Sequence, residues 1–353
     1  MLRRLGPPLA AFLLAQGFFA LAAWSAGLRF FDPATWTRWD SAYYLELAQQ
    51  GYTLFPCGPQ DHYPPGALCG NSGWFAGYSW LIRALAPLLG VPQAAQVIVL
   101  AAHLLCLIAL WNLLLEQRGL FALALAAFFP GQIYLRALFP MAPLLFCIVL
   151  CLGLCQRQRF GLALVPAFAT GALYPVGPVL APVLAVWALL EKRRGAVLVA
   201  AAVLAGLGVI ALAMHAGTGH FDAYTLLHAR DHQGLHQPLD TLLSRLKPLV
   251  NARYRNEKGL WSGLQTLLVL ALVISIAVKA RHGSRLLLLY TGAAWLFPLL
   301  AGGQTSLYRS ELVLLPCVAL ARDLPRPWLA TLVAAAALLC WPMARLFFSG
   351  VLV

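Results

Sequence analysis

Residues 196–215 read AVLVAAAVLAGLGVIALAMH, with Lys192, Arg193 and Arg194 standing just before them. A helix of about 20 such residues rises about 30 Å, the thickness of the hydrocarbon core of a bilayer. The same pattern, an apolar run framed by arginine or lysine, recurs from one end of the chain to the other. Of the 353 residues 61% are hydrophobic and 10% charged, and the mean hydropathy is +0.77. A water-soluble domain has no use for so much apolar surface. The sequence therefore predicts an all-α, polytopic transmembrane bundle of about ten or eleven spans, a single integral membrane domain over residues 1–353.

A net charge of +13 would suit a nucleic-acid binder if the cations formed one surface. They punctuate the apolar runs instead, at Arg3 and Arg4, Arg118, Arg157 and Arg159, Lys192 to Arg194, Lys279 with Arg281 and Arg285, and Arg322 with Arg326. Short connections rich in Lys and Arg stay cytoplasmic, and assigning all of these to that side gives a self-consistent topology. The expected partner is the lipid bilayer and not nucleic acid. The first run continues to about Phe31 without a small-residue cleavage site, which reads as an uncleaved span.

With that orientation two long polar segments become external, about 31–75 and about 217–260. Between them lie an interfacial stretch from Gly77 to Leu89, an inward span near 93–115, and two hairpins. One runs from Leu120 to Cys155 with a turn marked by Pro130, Gly131, Arg136 and Pro140; the other runs from Gly161 to Leu190. The arms of the second hairpin are short for full spans, which suits a partly re-entrant element. Further spans are expected near 261–278, 286–301, 311–321 and 328–348. Six cysteines fall inside apolar runs, where they serve as small packing residues, while Cys57 and Cys69 share the first external segment. Those two either remain thiols or close a disulfide loop that stabilises the segment by about 3 kcal/mol.

The first external segment contains Arg38-Trp39-Asp40-Ser41-Ala42-Tyr43-Tyr44-Leu45-Glu46-Leu47-Ala48. Tyr44, Leu47, Ala48 and Gly51 share one face at helical spacing, as in a short amphipathic helix lying at the interface. Asp40 stands at its start. It is either the N-cap of that helix, accepting from the free amides of the first turn, or a catalytic carboxylate.

The string Arg38-Trp39-Asp40 followed by Tyr44-Leu45 and Gly51-Tyr52, directly after the first span, resembles the first external loop of PIG-V-like mannosyltransferases of the GT-C superfamily. Phe129-Pro130 through Pro140 to Phe146 resembles a later segment of that family, with Phe139-Pro140-Met141-Ala142 replacing its Tyr-x-Glu-Ser-like element. His228-Ala229-Arg230, and Ser306-Leu307-Tyr308-Arg309 before Leu315-Pro316, resemble two further blocks in the same order. The resemblance implies a GT-C-like fold and transfer of a hexose, mannose in that family, from a polyprenyl-phosphate donor. Asp40 is the implied catalytic carboxylate. The candidate substrate-binding set is Arg38, Trp39, Tyr44, His62, Arg136, His228, Arg230, His232, Tyr308 and Arg309.

Inverting transfer requires a base for the acceptor hydroxyl and cations for the departing phosphate. Asp40 can supply the first. Arg309 and the segment from His228 to Lys258, with Arg230, Arg245, Lys247, Arg253 and Arg255, can supply the second. Arg136, at the first hairpin turn, either helps to bind phosphate or snorkels to the interface. Asp61 and His62 with Asp231 or His232 could assemble a divalent-metal site, although no spacing among them dictates one. The acceptor would be a glycolipid, a glycan or a protein. Two other classes remain open: a lipid or glycan transporter or flippase, and a catalytically inactive relative acting as an assembly subunit. The abundance of Arg, Ala and Leu with few Lys suits a bacterial inner-membrane protein whose active side is periplasmic.

Overall fold

The computed structural model describes residues 2–58, 60, 63, 66–229, 234–279, 283–301 and 307–352. Apart from one small hairpin the ordered elements are helical, as expected where only an internally bonded helix satisfies its backbone in lipid. Helix α1 (Leu2–Ser25) leads into α2 (Pro33–Trp36), α3 (Ser41–Gln50) and an antiparallel pair, β1 (Leu54–Pro56) and β2 (Leu68–Gly70). Next come α4 (Gly77–Leu89), α5 (Val91–Ala109), α6 (Leu120–Ala127), α7 (Met141–Gln156), α8 (Phe160–Leu173) and α9 (Leu180–Leu190). The long α10 (Arg194–Thr218) precedes α11 (Ala223–Ala229) and α12 (Pro238–Val250). The chain finishes with α13 (Glu257–Lys279), α14 (Arg285–Leu300), α15 (Leu307–Ser310), α16 (Val318–Ala321) and α17 (Arg326–Phe348).

Five of these helices are long and apolar enough to cross a membrane: Arg3–Ser25, Val91–Leu114, Arg194–Thr218, Glu257–Lys279 and Arg326–Phe348. Four more, Met141–Gln156, Phe160–Leu173, Gly177–Leu190 and Arg285–Leu300, are apolar but shorter. This differs from the ten or eleven spans expected from hydropathy, and the backbone shows why. The stretch expected as a span at 311–321 is broken, and the turn expected between the arms of the first hairpin is buried. Residues 128–140, between α6 and α7, form a largely irregular segment that is buried almost throughout, and residues 311–317 form a 3-10 helix that is buried throughout. Backbone of this kind is tolerated at membrane depth only when protein surrounds it. The two segments pack on each other at Gly131, where φ is +81° and an added Cβ would lie 2.7 Å from the carbonyl oxygen of Tyr308. Only glycine fits that approach.

Helices α8 and α10 pack through small residues: a Cβ added at Gly171 or Gly206 would collide with a backbone carbonyl of the facing helix. Helix α3 buries Ser41, Tyr44, Leu47 and Ala48, largely the face its spacing predicts. Arg83 of α4 donates to the exposed carbonyls at the end of α3, those of Ala48 (2.7 Å) and Leu47 (3.1 Å). The charged residue of the interfacial stretch thus closes off its neighbour's C-terminus.

The six cationic connections meet at one face. Trp111 and Asn112 donate to the carbonyls of Arg3 and Arg4, Arg157 donates to those of Asn112 and Leu113, and Arg322 lies 3.8 Å from Glu116. Gln156 donates to Ser284 at 2.7 Å, and Arg285 pairs with Glu191 at 2.9 Å. These contacts join every connection that the charge pattern assigns to one side.

Candidate active site

The first turn of α3 leaves its aspartate unemployed. The amides of Ser41, Ala42 and Tyr44 are taken by the backbone carbonyls of Arg38, Trp39 and Asp40, and Ser41 Oγ accepts from the Arg38 amide at 3.2 Å. Asp40 occupies the N-cap position yet makes no side-chain cap bond. Just before it Trp39 adopts φ +48°, a left-handed conformation uncommon for a bulky residue, and its ring is 47% exposed. That local strain turns the Asp40 carboxylate away from its own helix.

The carboxylate meets Arg309, carried by α15, at 2.5 Å between Oδ2 and Nη1. Arg309 is 11% exposed and Asp40 25%, so the pair is largely screened from solvent. The guanidinium lies 5.3 Å from the ring centroid of Phe139. Burial works against the charge on Arg309, but the Asp40 carboxylate paired and hydrogen-bonded with it favours the charge, and its pKa stays above the ordinary value. It is a fixed cation. Burial pushes the phenols of Tyr44 and Tyr174 up, so each remains a neutral hydroxyl able to donate. The Tyr44 hydroxyl and Arg309 Nε are among the buried polar atoms that find no hydrogen-bond partner among the described residues. Leaving such atoms unpaired costs about 1–3 kcal/mol each, so a ligand able to pair them would be favoured here.

Outside this pair lies a second layer. The Tyr308 ring stacks at 6.1 Å on that of Tyr134, and Arg245 and Lys258 approach the Tyr308 ring at 5.6 Å and 5.9 Å. Glu311, nearly inaccessible, accepts from Gln265 (2.6 Å) and Thr266 (2.6 Å), while Gln265 also donates to the Tyr308 carbonyl (2.8 Å). These bonds fix α15 and its arginine against α13. A groove of about 510 Å³ runs between α1, α13 and α17. Phe18, Trp261, Leu338, Trp341 and Pro342 line it, together with Glu257 and Arg345.

Not every candidate converges. Arg38 spends Nη1 on the carbonyls of Ala34 (3.0 Å) and Thr37 (3.1 Å) of its own loop. Arg136 does not snorkel to the interface. It is fully buried, with its guanidinium 4.2 Å from the Trp36 ring and 5.0 Å from that of Phe30, because α2 folds over the hairpin turn. His228 packs on Tyr224 at 4.5 Å, one layer behind Tyr44. Cys57 and Cys69 are joined as a disulfide beside the β1–β2 pair, with Cα atoms 4.9 Å apart. His62, Arg230 and His232 lie outside the described residues, as do Asp61 and Asp231 of the metal expectation. Among the described residues no three His, Cys, Asp or Glu side chains cluster.

Sequence reasoning missed Glu311, Tyr134 and Tyr174. Glu311 carried a usable signal, since it is the only acidic residue between Glu257 and Asp323 and opens an apolar run. It also missed a buried polar bridge in which His103 of α5 lies 3.2 Å from Gln16 of α1 and 3.0 Å from Gln132 of the 128–140 segment. Compared with known proteins, the chain matches no family model and no curated protein.

Proposed function

We propose that the chain is a membrane glycosyltransferase of the GT-C type that transfers a hexose, mannose by its resemblance, from a polyprenyl-phosphate donor to an acceptor hydroxyl at the external face, with inversion. The observation that carries this reading is the convergence of Asp40 and Arg309 from opposite ends of the chain, beside two unpartnered donors. In the proposed step the acceptor oxygen forms a bond to the anomeric carbon, and its proton passes to Asp40. The bond from that carbon to the phosphate oxygen breaks, and the electron pair leaves with the phosphate. In this reading Arg309, through Nε, and the Tyr44 hydroxyl bond the phosphate oxygens as charge accumulates on them, which requires the packing over these two buried atoms to open. Arg245 and Lys258 add positive charge one layer out. The largely apolar groove between α1, α13 and α17 suits the polyprenyl chain, which must stay in lipid while its phosphate reaches the ion pair. The acceptor, a glycolipid, a glycan or a protein, would enter from the periplasm of a bacterial inner membrane.

The test is transfer from a polyprenyl-phosphate hexose to a lipid-linked or glycan acceptor in detergent, comparing wild type with Asp40→Asn at matched monodispersity. Loss of a general base lowers turnover by about 10² to 10⁴. Wild-type turnover in Asp40→Asn removes Asp40 from the mechanism, and absence of transfer by the wild type with every polyprenyl-phosphate hexose rejects the reaction class.

A further inference from the structure

At the membrane face opposite Asp40 lies a groove of about 960 Å³. Arg4 and Leu5 at the start of α1 form one wall, Leu113 in the π-helical turn after α5 forms another, and Leu154 and Arg157 at the end of α7 form a third, with Arg159 just beyond. The charge balance is one-sided. Three arginines line the groove, and no acidic residue does. A second pocket on the same face shows the contrast, since it holds Arg285 and Arg322 together with Glu116, Glu191 and Asp323. There Arg285 pairs with Glu191 at 2.9 Å, and Arg322 lies 3.6 Å from Asp323. Neither Arg4, Arg157 nor Arg159 has a carboxylate within 4.0 Å among the described residues.

The groove is built as well as charged. Arg157 is held in place by two carbonyls across the helix interface, Leu113 at 2.6 Å and Asn112 at 2.9 Å. Arg4 is positioned through its own carbonyl, which accepts from Asn112 at 3.1 Å. The α1 amides beyond it start a helix and add partial positive charge. Gln117, on the rim, and Gln158, between the two arginines of the α7–α8 connection, both adopt left-handed backbone, at φ +62° and +55°. The remaining lining is Asn112 and three leucines, Leu5, Leu113 and Leu154. A cationic rim above leucines, on the ends of membrane helices, matches a ligand with an anionic head and an apolar tail.

We infer that this groove binds the phosphodiester headgroup of an anionic lipid from the leaflet opposite the glycosyl-transfer site, with Arg4, Arg157 and Arg159 on the phosphate and Leu5, Leu113 and Leu154 against the first methylenes of its chains. The site is independent of the proposed reaction and stands or falls without it. A soluble phosphate would meet the cations but gain nothing from the leucines, which is why the lipid is the assigned occupant. Basic pockets between membrane helices are a recognised setting for such headgroups.

The experiment is native mass spectrometry of the detergent-purified full chain titrated with phosphatidylglycerol, with phosphatidylcholine and sn-glycerol 3-phosphate as separate arms. Arg4→Gln combined with Arg159→Gln removes two exposed cations without touching the carbonyl bonds of Arg157. Lys192→Gln combined with Arg194→Gln removes two from another connection on the same face. A surface cation contributes on the order of fivefold in affinity for an anionic headgroup, so the groove variant should bind phosphatidylglycerol roughly 25-fold more weakly. The second variant should bind like wild type. Equal losses in both variants, or equal retention of phosphatidylcholine by wild type, would overturn the site. Competition by glycerol phosphate as effective as the lipid itself would overturn the assignment of a lipid occupant.

Discussion

Asp40 sits where a helix would use it as a cap and is not used as one. Its neighbours' carbonyls take the first-turn amides, the strained Trp39 turns the chain, and the carboxylate crosses to Arg309. The consequence separates structure from chemistry. Asp40→Asn removes the partner of an almost buried cation, so it should lower the thermal midpoint as well as activity, because an unpaired buried charge is costly. Adding Arg309→Gln removes the stranded charge. The double variant should recover most of the lost stability, by about 1–3 kcal/mol, while transfer stays abolished. Recovery of both properties together would mark the pair as structural only. Tyr44→Phe is the sharper case. Its hydroxyl is buried without a partner, so deleting it should leave the thermal midpoint unchanged or raise it, whereas turnover should fall about tenfold through loss of one donor to the phosphate. A clear drop in stability with normal turnover would show that the hydroxyl serves the fold.

At the scale of elements, the two broken segments matter more than the straight helices. Residues 128–140 bring Tyr134 and Phe139 to the ion pair, and 307–317 bring Tyr308, Arg309 and Glu311. At Gly131 the backbones of the two segments come close. Gly131→Ala should therefore act at a distance: a left-handed φ costs a side chain about 1–2 kcal/mol, and the new Cβ presses on the Tyr308 carbonyl, one residue from Arg309. The expected result is a lower thermal midpoint with a fall in turnover larger than the stability loss explains at the assay temperature. Unchanged turnover would uncouple the segment from the site. These segments also show what hydropathy reads and what it does not. The framed runs of α1, α10, α13 and α17 were legible because length and composition suffice for a straight helix in lipid. Stretches such as Ala122–Phe129 and Glu311–Ala321 are as apolar as spans, but their backbone is irregular or short and protein surrounds it, a distinction that depends on neighbours and not on composition. Asp40 and Arg309 could each be singled out from residue type and context. Their pairing across the whole chain, the orphaned Tyr44 hydroxyl and the burial of Arg136 beneath Trp36 are products of packing alone.

For the molecule as a whole, sidedness is the property on which everything else rests. The charge pattern assigns six cationic connections to the cytoplasm, and direct contacts gather those connections at one face. The part of helix α1 that runs from Arg4 to Ser25 separates Arg4 from the loop that carries Asp40 by about 32 Å along the helix axis, enough to put them on opposite sides of a bilayer. The chain's own cysteines make a direct test practical. Cys57 and Cys69 are bonded to each other, Cys106, Cys151, Cys155, Cys317 and Cys340 are buried, and only Cys147 is partly accessible, within an apolar helix. A membrane-impermeant maleimide should therefore see little of the native protein. Asp222 precedes α11 on the active-site side with its side chain 61% exposed, and Asp323 lies in a cationic connection with 72% exposed. Asp222→Cys should label in sealed vesicles of outward orientation, and Asp323→Cys only after permeabilisation. The reverse pattern would keep the bundle but invert it, moving the ion pair to the cytoplasm, where a donor could be a soluble nucleotide sugar. Equal labelling of both in sealed vesicles would be the heavier result, because it would mean that these two ends do not face opposite sides of the membrane at all.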